Sequence, residues 1–257
     1  MKKDCVKYFF IVIFLLFSCF YTKRISVFLI YKSSLMETIK ENKKFKENKY
    51  ENAFIEDGYI IPGLNGVKIN ELDSYYQMVN ENNFLENKLV FYQVKPEISL
   101  EDNKNLIIKK GNFNKKSVSI ILDYNKNLID YLNSAYLKFN VLVNENNFDK
   151  DALYEQISLN ENVDDLFKKY NVDNIICFVP NNNLENCIMQ EKYLIKPSYE
   201  IKDNLIYNLE INSGDIIYIK SISLDNLKYL IRKINYRNLK ITYVSELISE
   251  FRNMSLS

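Results

Sequence analysis

The chain has 257 residues, 47% of them hydrophobic, and its 34 Lys and Arg against 33 Asp and Glu leave a net charge of +1. That is enough apolar material for a sizeable core and no overall field to gather nucleic acid. Histidine is absent, which excludes Ser-His-Asp and Cys-His hydrolysis, and the five glycines are too few within any one turn to cradle a nucleotide phosphate.

Val6–Thr22 reads VKYFFIVIFLLFSCFYT, with Lys7 as its only charge. As a helix at ~1.5 Å per residue it reaches about 25 Å, just under the ~30 Å hydrocarbon core of a bilayer. Ile25–Tyr31 (ISVFLIY) adds apolar length beyond Lys23 and Arg24. The sequence therefore predicts a transmembrane anchor over residues 1–31. A cleaved signal peptide shares the basic start at Lys2, Lys3 and Lys7, but no small-x-small cleavage site follows. A lipoprotein signal is a third reading, since Leu16-Phe17-Ser18-Cys19 resembles a lipobox in which Phe17 is too bulky. Lys23, Arg24, Lys32 and Lys40 balance the basic residues before the span, so charge leaves the orientation open.

Residues 32–56 are rich in Lys, Glu and Asn, with sparse apolar positions at Leu35, Met36, Ile39, Phe45 and Phe54. They are read as an exposed helical stalk or a partly disordered linker. Residues 57–110 are read as a β-containing extension. Pro62-Gly63 and Asn65-Gly66 place two bends around a short β segment. Leu72–Asn83 is expected as a helix with Leu72, Tyr75, Tyr76 and Val79 on one face, and Lys88–Val94 as a strand.

From Asn105 strand and helix patterns alternate. Strands are expected at Leu106–Lys109, Ser117–Leu122, Lys138–Val143, Asn174–Val179, Asp215–Lys220 and Leu239–Val244. Helices are expected at Asn127–Leu137, Asp149–Ser158, Val163–Tyr170 and Leu224–Asn235. Such alternation predicts an α/β domain with largely parallel strands.

Ser213–Glu250 (SGDIIYIKSISLDNLKYLIRKINYRNLKITYVSELISE) resembles the closing strand-helix-strand of the polysaccharide deacetylase (NodB-type) family. There a Gly-x-Ile-Ile-Leu-Leu-His-Asp strand leads through a helix to a strand ending in Ser-Glu-Leu-Leu. Lys115–Asn125 (KKSVSIILDYN) resembles the family's opening strand, which ends in Thr-Phe-Asp-Asp-Gly; Asn127–Asn147 is similar to the next helix and strand. Pro180, in CFVPNNN, stands where the family has Arg-Pro-Pro-Tyr-Gly. The resemblance spans roughly Lys115–Glu250. It implies a shortened, deformed β/α barrel over residues 111–257, behind the anchor, the stalk and the extension.

Members of that family are metal-dependent hydrolases that deacetylate amino sugars of cell-wall polysaccharides. Carried across, the base falls on Asp123, the metal-binding Asp on Tyr124 and the motif glycine on Asn125. The late acid His falls on Lys220 and its neighbouring Asp on Ser221. The segment bearing the two metal-binding histidines has no counterpart between Val143 and Asn174. Activating a water needs about three protein ligands around an open position, and a phenol of ordinary pKa ~10 is a poor one. Neither metal nor cofactor is expected. Taken alone, Asp123-Tyr124-Asn125 is also a sound turn sequence, and Lys220 a solvated strand end.

Cys177 and Cys187 lie ten positions apart around an Asn-rich turn. Outside the membrane they are expected to pair; in a reducing cytosol they would stay free. The reading that results is a single-pass membrane pseudoenzyme of the cell envelope with an extracytoplasmic domain, partnered by the membrane and by envelope glycan or proteins. Its rivals are a divergent carbohydrate amide hydrolase and an inner-membrane protein with a cytoplasmic α/β domain.

Overall fold

The computed structural model describes residues 2–81, 83–181, 184–202 and 206–252. The elements begin with α1 (Lys2–Tyr31), α2 (Ser34–Lys46), β1 (Phe54–Glu56), β2 (Tyr59–Ile61), β3 (Gly66–Ile69), α3 (Glu71–Met78) and β4 (Phe91–Val94). Next come β5 (Ile107–Ile108), β6 (Ser117–Asp123), α4 (Lys126–Ser134), β7 (Asn140–Val143), β8 (Glu155–Ser158) and α5 (Glu161–Tyr170). β9 (Ile176–Phe178), α6 (Leu184–Met189), β10 (Tyr193–Ile195) and β11 (Tyr199–Lys202) follow. The described chain closes with β12 (Ile216–Ser221), α7 (Leu224–Tyr236), β13 (Lys240–Ile241) and α8 (Val244–Ile248). It divides into two compact units, one of Met1–Lys49 and Gly66–Val94, the other of Tyr50–Asn65 and Lys95–Arg252.

In the first unit α1 includes a stretch, Val12–Tyr31, of mean hydropathy 1.7. Among the described residues it is the one helix long and apolar enough to cross a membrane. Phe14, Leu16, Phe17 and Phe20 on it are exposed. The segment expected as an exposed helical stalk or a partly disordered linker does form a helix, α2, but one face of that helix is buried, while Phe45 and Phe54 are exposed. The Ser33 side chain caps α2 by accepting from the Met36 N–H. Leu35, Met36 and Ile39 lie on one helical face and are buried, and Leu35 and Ile39 share a cluster with Ile69, Met78 and Leu89. Sparse apolar residues at this spacing are the buried stripe of an amphipathic helix. α3 turns a different face inward from the one expected. Ser74 and Met78 are buried, whereas Tyr76 and Val79 are exposed. Ser74 can be inside because its hydroxyl donates to the Asn70 carbonyl and accepts from the Val90 N–H.

The second unit holds two sheets. The larger runs β11-β12-β6-β7-β8, with β13 also on β6, and every pairing is parallel. The smaller runs β1-β2-β5-β10-β9 and is parallel apart from the β1–β2 hairpin. That hairpin turns on Asp57-Gly58, whose φ angles of 49° and 77° are the positive pair required by a two-residue turn matching strand twist. Strands β2 and β5 of the expected extension thus belong to the same sheet as β9 and β10.

Strands buried on both faces explain the near-continuous apolar runs. Val118, Ile120 and Leu122 of β6, with Ile217 and Ile219 of β12, pack outward against Leu132 of α4, Phe167 of α5 and Leu230 of α7. Ile121, Ile216 and Tyr218 face the other way, into an interior shared with Ile60, Ile108, Leu142, Ile157, Phe178 and Ile195. Two facing sheets around one apolar interior make the deformed barrel that the resemblance implies.

The N-terminal ends of β6, β7 and β8 are stopped by α8. Leu247 and Ile248 enter the interior cluster. The Val244 and Ser245 N–H groups donate to the Asn140 and Glu155 side chains, and Lys115 Nζ donates to the Glu246 and Ser249 carbonyls. Gly214, before β12, has φ +89°, and a Cβ there would stand 2.4 Å from the Gly111 carbonyl oxygen. Both reasons demand glycine.

Two expected elements differ. Asp149–Ser158 is not a helix: its second half is β8, laid on β7 with Asn140 opposite Glu155. Gln156 pins the approach, accepting from the Asp149 N–H and donating to the Asp149 carbonyl. The stretch Leu239–Val244 yields only the short β13, because Val244 already starts α8.

Candidate functional site

The C-terminal ends of β6 and β12 carry the residues singled out by the resemblance. Ile219 pairs with Leu122, and one residue further on each strand stand Lys220 and Asp123. By the period of two, Asp123 and Lys220 project on the side of Ile121 and Tyr218, toward the mouth of the interior. No ion pair joins them. Lys220 and Tyr124 are exposed, Tyr124 at 45%.

Asp123 is held by a residue that the sequence reading passed over. Tyr218 is buried, and its phenol donates to Asp123 Oδ1 at 2.8 Å. Burial first, and then this hydrogen bond, lift the Tyr218 phenol well above its usual value. The ring of Phe178, the last residue of β9, meets Tyr218 edge-on at 5.0 Å. The signal for Tyr218 was available in register, since a residue two before Lys220 must face the same way.

A second carboxylate at this edge is likewise engaged. Glu145, just past β7, accepts from the Asn160 and Asn162 amides. Its own backbone N–H, then those amides, hold it below the ordinary carboxylate value. Beside Tyr124, burial pushes the Tyr154 phenol up to about 12. Among the described residues no three His, Cys, Asp or Glu side chains converge to hold a metal ion. The donor set fits no divalent cation: Asp123 and Glu145 are each taken up by neighbouring hydrogen-bond donors, and with phenols and an ammonium group they cannot supply about three ligands. The edge can accept and donate hydrogen bonds; it cannot polarise an amide through a metal.

Behind Phe178, Cys177 of β9 and Cys187 of α6 are bonded to each other, with Cα atoms 6.0 Å apart. Both are buried, in a cluster with Leu194. The bond ties α6 back to β9 across the turn that contains Pro180.

No family model matches the chain. It is 37% identical over 93 residues to the uncharacterized protein YlxY of Bacillus subtilis, a match covering 36% of this chain and 29% of that relative. The chain therefore spans less than a third of that relative's length. Among solved structures it is similar to BA3943, a family 4 carbohydrate esterase pseudoenzyme of Bacillus anthracis. The TM-score is 0.57 at 20% identity, covering 86% of this chain and 97% of that one. A BA3943 mutant with restored enzymatic activity is similar to the same degree, with a TM-score of 0.57 and 20% identity over 86% of this chain and all of that one. The fold is the polysaccharide deacetylase-like fold that the closing segment resembles.

Proposed function

We propose that the protein is a non-catalytic relative of polysaccharide deacetylases, anchored in the membrane by α1, whose domain lies outside the cytoplasm and binds cell-envelope glycan. The observation that carries this reading is the Tyr218–Asp123 hydrogen bond. The carboxylate at the position of the catalytic base is occupied by a buried phenol, with no metal-binding cluster beside it among the described residues. The same fold serves BA3943, a pseudoenzyme, and a mutant of that protein has regained activity, so a frame of this kind outlasts its chemistry. Exposed Tyr124 and Lys220, at the C-terminal ends of β6 and β12, offer a sugar an aromatic face and a hydrogen-bond donor. The paired cysteines support the outward placement, because such bonds persist in oxidising compartments.

The full chain in detergent, incubated with insoluble cell-wall glycan, should sediment with it, and Tyr124→Ala with Lys220→Ala should release it. The same preparation should contain no stoichiometric zinc or cobalt and release no acetate above a heat-killed control. One tightly held ion per chain with acetate release would establish a hydrolase instead. Cysteine labelling of intact cells, before and after reduction, separates an outward from a cytoplasmic domain.

A further inference from the structure

On the outer face of the smaller sheet, two lysines stand side by side where a sheet ordinarily avoids it. Leu194 pairs with Ile107 and Ile195 with Ile108 in the parallel β10–β5 ladder, so one step further Lys196 lies opposite Lys109. The Lys196 N–H donates to the Ile108 carbonyl, carrying the ladder onward. Tyr59 pairs with Ile107 from the other side, which brings its ring onto the same face. Lys109 Nζ lies 3.1 Å and Lys196 Nζ 6.0 Å from the Tyr59 ring centroid. Ile60 and Ile108, on the opposite face, are fully buried, so the backbone under this cluster is fixed by the core.

Like charges directly opposite each other across strands are destabilising. Here only the Tyr59 ring offsets them, and no negative charge does: among the described residues neither lysine has a carboxylate within ion-pair distance, although the neighbouring Lys110 is paired with Asp215. The face is open, with Lys196 exposed and Tyr59 and Lys109 half-buried. The Tyr59 phenol is drawn below its usual value, chiefly by Lys109, so it too experiences the surplus positive charge.

We propose that Tyr59, Lys109 and Lys196 form a binding site for a phosphate group, separate from the mouth of the barrel and independent of the function proposed for it. Two ammonium groups neutralise the two charges of a phosphate monoester as point charges, and the phenol hydroxyl supplies a directional donor. A phosphodiester in an anionic polymer offers the same oxygens with one charge per unit.

The test is a titration of the full chain in detergent with sodium phosphate, against sodium chloride at matched ionic strength, read by the lysine ammonium resonances and by melting temperature. Phosphate should shift the Lys109 and Lys196 resonances selectively and raise the melting temperature, and Lys109→Gln with Lys196→Gln should weaken binding about tenfold or more. In phosphate-free buffer that double variant should melt no lower than the parent, because it removes a repulsion; a purely structural role for the lysines would lower it. Parallel titrations with a poly(glycerol phosphate) and with inorganic phosphate show which source is preferred, and tighter binding of either supports the site. Equal responses to phosphate and chloride, or a double variant that binds phosphate as before, would overturn it.

Discussion

Asn140 and Glu155 stand opposite each other at the start of the β7–β8 ladder, and their side chains take up successive N–H groups, Val244 at 3.1 Å and Ser245 at 3.2 Å, where α8 begins. The short helix is thereby docked from two strands at once. Asn140 is fully buried and also donates to the Ile120 carbonyl. Asn140→Leu would orphan both partners and is expected to cost about 2–4 kcal/mol, read as a shift in the denaturation midpoint with unchanged m.

Glu155 adds a pH dependence. Burial raises its carboxyl above the ordinary value, against the hydrogen bonds from Ser245 and Val244. The folded state therefore keeps a proton that the unfolded chain has lost, and between the two values stability falls as pH rises. Glu155→Gln should flatten that slope in melting curves recorded from pH 4 upward. An unchanged slope would show that Glu155 titrates as it does when unfolded.

Lys115 acts in the opposite sense at the other end of α8. Burial lowers its ammonium from 10.5 to about 8, with Glu246 and Glu250 opposing the shift. Below pH 8 it is charged in both states and the cost of burial stands. Between about 8 and 10.5 the unfolded chain binds the extra proton, so stability rises with pH. Lys115→Met should abolish a rise of up to ~3 kcal/mol across this window, measured by chemical denaturation at each pH.

Tyr218→Phe removes one hydrogen bond while leaving the packing against Phe178. The expected loss is about 1 kcal/mol, or ~2–4 °C in melting temperature for a unit of this size. Asp123→Asn should bring the Tyr218 phenol down toward its usual value, visible in a tyrosinate titration differenced against Tyr218→Phe. A phenol unmoved by Asp123→Asn would mean that burial alone sets it.

Breaking the Cys177–Cys187 bond by Cys→Ser at both positions is expected to destabilise by roughly 2–3 kcal/mol on the chain-entropy account. Alkylation of unreduced, denatured protein should leave both positions unlabelled, and reduction should expose them together. Labelling without reduction would rule out the bond in the protein as isolated.

The parallel core of this fold was legible because its strands, buried on both faces, are written as apolar runs such as Ile120–Leu122 and Ile216–Ile219. The closing segment was legible for a structural reason. Its Gly214 must clear Gly111 and its Ser245-Glu246-Leu247 builds the stop at the N-terminal ends of the strands, so that stretch is constrained by packing. The chemical edge was legible only as positions: Asp123 and Lys220 could be placed, but the partner of Asp123 could not. A tyrosine in a strand reads as packing until register brings its hydroxyl to a carboxylate. β8 was misjudged because its place beside β7 is set by pairing and by the Gln156–Asp149 contacts, which leave no periodic signal; α2 was read as a helix but not as a packed one, since Leu35 and Ile39 meet Ile69, Met78 and Leu89 far away in sequence. The Asp57-Gly58 hairpin could have been read from the dipeptide alone.

The position of α8 also dictates an order of events. A chain made from its N-terminus lays down Ile121, Leu142, Ile157 and Ile216 long before Leu247 and Ile248, which share their cluster. Until the last of these residues emerges, the barrel stands open at one end with unsealed apolar surface, a state that chaperones and proteases recognise. Completion of the domain is therefore a late, single step. Chains ending before Val244 should be degraded rather than accumulate as slightly weakened copies.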